Sequence, residues 1–151
     1  MVRKWSISNA RSTGHASYVL RAVVPAASAG KHMVELERAA AQDVLTIKEI
    51  LREIWHDTYA SMLPKTAIET ITSRWHAPEL LAEQLQNPEI YFAVAREGGV
   101  VVGVITARKQ DDVIVVNRLY VLPQYQRRGI GQQLLEWSYR TFHAQRVRLT
   151  V

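Results

Sequence analysis

A chain of 151 residues is long enough for one domain with a core and too short for two comfortable ones. Its 48% hydrophobic and 22% charged content is that of an ordinary globular protein, and no apolar run approaches the ~20 residues needed to span a bilayer. The absence of cysteine excludes disulfides, thiolate metal sites and cysteine nucleophiles and fits a reducing, cytoplasmic setting. The five histidines never fall at the i, i+4 spacing of a helical zinc site, so no metal is expected.

Residues 1–32 differ in composition from the rest of the chain. They hold Arg3, Lys4, Arg11, Arg21 and Lys31 and no acid, which leaves 14 of the 19 basic residues to balance 14 acidic ones. The net charge of +5 therefore belongs to this segment, and the balanced body offers no broad nucleic-acid face. Rich in Ser, Ala and Arg and without a period of 2 or 3.6 residues, the segment reads as a basic disordered extension, a targeting segment, or sequence upstream of a start at Met33. The domain is expected over 33–151.

Val34 to Arg38 alternates as a short strand, and Asp43 offers an N-cap oxygen for a helix running to about Met62. Pro64 separates that helix from a second containing Ile68, Ile71 and Trp75, and Pro78 opens a third that stops at Asn87-Pro88. The pattern then becomes that of strands. Glu89–Arg96 and Val100–Lys109 flank a Gly98-Gly99 turn, with Gly103 marking a bulge or a close backbone approach. A third, strongly apolar strand spans Val113–Val121, a helix comes next from about Gly129 to Phe142, and Val147–Val151 is a last strand.

The chemistry gathers in residues 117–132, where a buried strand runs through a two-glycine turn into an amphipathic helix. The first N–H groups of such a helix lack internal partners, and the helix dipole adds positive potential, so the turn suits a phosphate. Gly129 and Gly131 admit close backbone approach, and Arg127 and Arg128 can add charge-assisted contacts at its mouth. A P-loop string is absent, and Leu134 stands where a dinucleotide-binding loop needs its third glycine.

Gln126-Arg127-Arg128-Gly129-Ile130-Gly131 matches Gln/Arg-x-x-Gly-x-Gly/Ala, and over Met33–Val151 the sequence resembles the GNAT superfamily of N-acetyltransferases. The resemblance implies an α+β fold, a mixed and mostly antiparallel sheet flanked by helices. It implies acetyl-CoA as acetyl donor, with the main chain of Leu119, Tyr120 and Val121 along the pantetheine arm. Gln126, Arg127, Arg128, Gly129, Ile130, Gly131 and Gln132 would surround the pyrophosphate, and the Val121 N–H would face the thioester carbonyl as an oxyanion donor. The acceptor is an amine, of a small molecule or a peptide, that attacks directly without an acyl-enzyme.

Simple alternation sets Val121, Leu119, Asn117 and Val115 on one strand face. Many relatives carry a Glu on that face; here Asn117 can order water but cannot act as a base. Trp55, Tyr59 and Trp75 lie in the helices that wall the acceptor pocket of such enzymes, where rings suit a cation, although the same spacing suits a core.

The family pattern continues past the strand at Val147–Val151 with a helix and two strands. The fold is accordingly expected as truncated after the fifth strand, with that strand at an unpaired edge, as a fragment or completed by a partner chain. A catalytically silent acyl-CoA-binding module is the alternative to an active transferase. No nucleic-acid or membrane partner is expected, and a homo-oligomer is left open.

Overall fold

The computed structural model describes residues 6–12, 15–21, 33–144 and 146–150. Along the chain these form β1 (Ser6–Ser12), β2 (His15–Arg21), β3 (Glu35–Arg38), α1 (Val44–Tyr59), α2 (Lys65–Trp75), α3 (Pro78–Gln86), β4 (Ile90–Glu97), β5 (Val100–Gln110), β6 (Val113–Val121), α4 (Ile130–Phe142) and β7 (Arg146–Thr150). One sheet joins the strands in the order β1-β2-β7-β6-β5-β4-β3, antiparallel except for the parallel pair β6 and β7. The α+β class and the mostly antiparallel sheet are thus as expected, with β3 to β7 the five strands read from the sequence.

Both faces of β4, β5 and β6 are covered, which is why these strands read as nearly continuous apolar runs. Tyr91, Ala93 and Ala95 of β4 pack with Ile130, Leu134 and Leu135 of α4. Phe92 and Val94, on the other side, pack with Ile47 and Leu51 of α1 and Leu81 of α3. Ile47, Leu51 and Leu81 are fully buried, and each contributes roughly 1.5–3 kcal/mol before chain entropy is charged against it. Among the described residues no helix is long and apolar enough to cross a membrane.

Several expectations need correction. Residues 6–12 and 15–21, inside the segment expected to lack regular structure, pair as strands, and β2 lies antiparallel to β7. The last strand is therefore not an unpaired edge. A strand edge recruits main-chain groups, which requires no side-chain period in the recruited segment. The remaining residues of 1–32 lie outside the described residues. Asp43 stands at the N-cap of α1 but does not cap it, because a short 3-10 turn, Ala41–Asp43, gives it helical backbone angles. Its carboxylate instead accepts the Ala40 N–H at 2.8 Å and a terminal nitrogen of Arg96 at 2.6 Å, while Glu37 holds the same guanidinium. Helix α1 ends at Tyr59 rather than Met62. The N–H groups of Met62 and Leu63 both return to the Tyr59 carbonyl, closing the helix before Pro64.

Two irregularities in the ladder shape the sheet. The β4–β5 register slips between Ala95, opposite Gly103, and Arg96, opposite Val101. A Cβ on Gly103 would stand 3.2 Å from Leu134 Cδ1 and 3.3 Å from the Tyr120 carbonyl, so the close approach of α4 requires glycine there. The β5–β6 register slips between Thr106, opposite Arg118, and Ala107, opposite Val116, which makes Asn117 an extra residue in β6. The bulge resets the alternation. Ile114, Val116, Leu119 and Val121 face α4, whereas Tyr120 and Leu122 face α1 and α3. Asn117 and Val115 therefore do not share a face with Leu119 and Val121, contrary to the simple period of two.

Candidate functional site

The turn between β6 and α4 is built by conformations that few residues adopt. Arg127 has φ 63 and Gly129 has φ 78, both in the left-handed region. Gly129 is the N-cap of α4, and the intrahelical ladder starts only where Gln133 donates to the Gly129 carbonyl at 3.0 Å. The N–H groups of Ile130, Gly131 and Gln132 have no main-chain partner among the described residues, and no acid sits in the first turn of α4. They border a cavity of about 290 Å³ lined by Val121, Tyr125, Gln126, Arg127, Gly129, Ile130, Gly131 and Gln132. A Cβ on Gly131 would meet only Val121 Cγ2, at 3.8 Å.

The arginines divide their duties. Arg127 is exposed and lines this cavity. Arg128 does not line it: one terminal nitrogen donates to the Gln124 carbonyl at 2.9 Å, the other lies 3.7 Å from Glu97, and the guanidinium sits over the Tyr125 ring. Gln126 is turned back, its Nε2 donating to the Val121 carbonyl at 2.9 Å.

That bond locates the free edge of β6. Leu122 donates its N–H to Val102 of β5 at 2.9 Å, so strand alternation turns the N–H groups of Val121 and Leu119 to the opposite edge. On that edge β7 accompanies β6 only from Val113 to Val116. Val116 lies opposite Leu149, next to the last described residue of β7, and no described strand takes the edge of residues 117–121.

On the other face of β6, a second cavity of about 470 Å³ lies under α1, α2 and α3. Trp55, Trp75, His76, Leu80, Gln84, Ile90, Thr106, Arg108, Asn117, Arg118 and Tyr120 line it. Of the aromatic trio expected there, Trp55 and Trp75 take part with rings 5.7 Å apart and edge-on. Tyr59 stands behind them, 4.7 Å from Trp55, and does not line the cavity. His76 is buried and 5.9 Å from the Trp55 ring; burial first, and the Arg118 charge second, lower its pKa to about 4. Burial likewise pushes the Tyr120 phenol up, against the opposing influence of Trp55. Arg118 donates to Gln84 Oε1 at 2.6 Å and to the Trp75 carbonyl at 3.2 Å.

Sequence reading missed His76, Thr106, Gln84 and Arg118. Only Arg118 left a signal, a charge inside the apolar run of β6. Among the described residues no three or more His, Asp or Glu gather as a metal site.

The sequence matches the acetyltransferase (GNAT) family over residues 47–151. A spermidine N(1)-acetyltransferase of Thermoplasma acidophilum is 29% identical over 106 residues. That stretch is 68% of this chain and 66% of the relative, so the chain spans just under two thirds of that protein's length. The crystal structure of PaiA N-acetyltransferase from the same organism, in complex with coenzyme A, has a TM-score of 0.69 at 25% identity, over 74% of this chain and 72% of that one. A GCN5-related N-acetyltransferase from Rhodopseudomonas palustris shares the fold, with a TM-score of 0.59 at 21% identity over 77% and 69% of the two chains.

Proposed function

Because the chain belongs to the acetyltransferase (GNAT) family, we propose that it transfers the acetyl group of acetyl-CoA to a primary amine by direct attack in a ternary complex. The observation that carries this reading is the set of N–H donors at Ile130, Gly131 and Gln132 without a main-chain partner among the described residues, on the positive end of α4 and beside an edge of β6 that no described strand takes. A diphosphate fits those donors, with Arg127 beside it and Gly129 leaving room for its oxygens. An extended arm fits the β6 edge, where Leu119 and Val121 offer main-chain groups as a neighbouring strand would.

In the reaction the amine nitrogen bonds to the acetyl carbon, the carbon–sulfur bond breaks with its electron pair leaving on the sulfur of coenzyme A, and the proton that the amine gives up to water balances the one that this thiolate takes up. The Val121 N–H, directed to the open edge, donates to the carbonyl oxygen as negative charge develops on it. Most of the acceleration comes from holding amine and thioester together. Asn117, at the lip of the larger cavity, passes the amine proton on only through water. The acceptor occupies the cavity walled by Trp55 and Trp75, and amine acetylation by the spermidine N(1)-acetyltransferase relative supports that class of acceptor.

Calorimetric titration with acetyl-CoA tests the donor site, with Gly129→Glu placing a carboxylate in the cradle. Binding by the parent chain and none by the variant is expected; equal heats would remove the site. Thiol release over an amine panel tests transfer. Binding without release would favour the silent acyl-CoA-binding module instead.

A further inference from the structure

Arg118 leaves β6 toward the larger cavity and is fixed there by two neutral acceptors, Gln84 Oε1 and the Trp75 carbonyl. They set the plane of the guanidinium and neutralise nothing. Among the described residues no carboxylate pairs with Arg118, and none lines the cavity, which holds a second cation, Arg108, at its rim. Arg118 is half-buried, its bond to the Trp75 carbonyl lies at the exposed side, and partial burial pushes the guanidinium down from its ordinary value. Two more polar atoms on the same wall, His76 Nδ1 and Thr106 Oγ1, are buried without a hydrogen-bond partner. Buried groups left unsatisfied in this way are uncommon, and here they converge with Arg118 on one space.

We propose that the acceptor amine also carries a carboxylate, as an amino acid or short peptide does, and that Arg118 holds this carboxylate in the open part of its fork. The inference takes the acetyl-transfer reading as its frame and names the acceptor class for it. A planar guanidinium meets a carboxylate in paired hydrogen bonds, a match that an ammonium cannot make. A polyamine would bring ammonium groups to a wall with two arginines and no acid. A cavity of about 470 Å³ has room for an amino acid or a dipeptide, with the Trp55 and Trp75 rings beside its amine.

Trp55 and Trp75 in the wall allow acceptor binding to be read by intrinsic tryptophan fluorescence without acetyl-CoA. The full chain is titrated with amino acids, with the same amino acids as carboxamides, and with spermidine. The acids should bind at least tenfold more tightly than their amides, with spermidine weakest. Arg118→Gln should abolish the difference between acid and amide, and Arg118→Lys should restore part of it. Acid and amide binding alike to the parent chain, tighter binding of spermidine, or no response to any acid would each overturn the proposal. The comparison within the parent chain holds even where Arg118→Gln does not fold. Because this measurement uses no thioester, failure of acetyl-CoA to bind in the calorimetric experiment removes the transfer reading and leaves the carboxylate preference to be judged separately.

Discussion

Protonating His76 should cost the folded chain stability that its unfolded form does not lose. Burial, reinforced by the Arg118 charge, lowers the imidazole from 6.5 to about 4, so folding favours the neutral ring. Above the unfolded pKa both states are neutral and the group is silent. As pH falls below 6.5 the unfolded chain takes up a proton that the folded chain refuses, and stability declines until the folded group also titrates near pH 4. The full difference corresponds to about 3.4 kcal/mol, of which about 2 kcal/mol would already be lost at about pH 5. The cavity opens to solvent past the exposed Trp75, so water screens part of this, and about 1 kcal/mol at that pH is the expected value. Urea unfolding at about pH 8 and about pH 5, for the parent chain and His76→Asn, isolates the effect because all other groups titrate in both. The parent should lose about 1 kcal/mol more than the variant on acidification. Equal losses would mean that His76 is hydrated in the folded state, and the cavity wall would have been misread.

Three further substitutions separate backbone, charge and packing, and a fourth serves as their control. Gly129→Ala forces a Cβ onto a residue with φ 78 and should cost about 1–2 kcal/mol in chemical denaturation, with acetyl-CoA affinity falling about tenfold. Gly131→Ala, the control, meets only an ordinary contact at 3.8 Å and should leave calorimetric affinity within about threefold. Asp43→Ala leaves the Ala40 N–H without its acceptor and the Arg96 guanidinium with Glu37 alone, and should lower unfolding free energy by about 1–2 kcal/mol. Gly103→Val drives a side chain into Leu134 and the Tyr120 carbonyl, and a loss of about 1–3 kcal/mol should appear as a lower Tm.

The periodic parts of the molecule were legible. Apolar spacing located α1 to α4, and Gly98-Gly99 fixed the β4–β5 turn, because local preference and burial agree there. The glycine turn after β6 was legible for the same reason, since Gly129 is required by its own backbone angle. What stayed hidden depended on partners remote in sequence. Asp43 looks like a helix cap until Arg96, 53 residues away, claims its carboxylate. His76 and Thr106 carry no local mark of facing a cavity. β2 has no readable pattern, and its place comes from the edge that β7 presents. The extra residue at Asn117 was invisible because an apolar run reads the same with or without a bulge, and that one residue decides which face each of its neighbours occupies.

The bulge in β6 is, in the end, a matter of counting. Removing Asn117 would leave Val116, Arg118 and Leu119 alternating without interruption, each on the side it now occupies. The strand would run straight beside β5, and a polar residue would vanish from the lip of the larger cavity while the hydrophobic layers stayed as they are. Parity therefore alters what the strand offers to the cavity and leaves what it offers to the core unchanged. An in-frame loss of one codon at that spot is a lesion expected to spare folding and reshape the acceptor cavity.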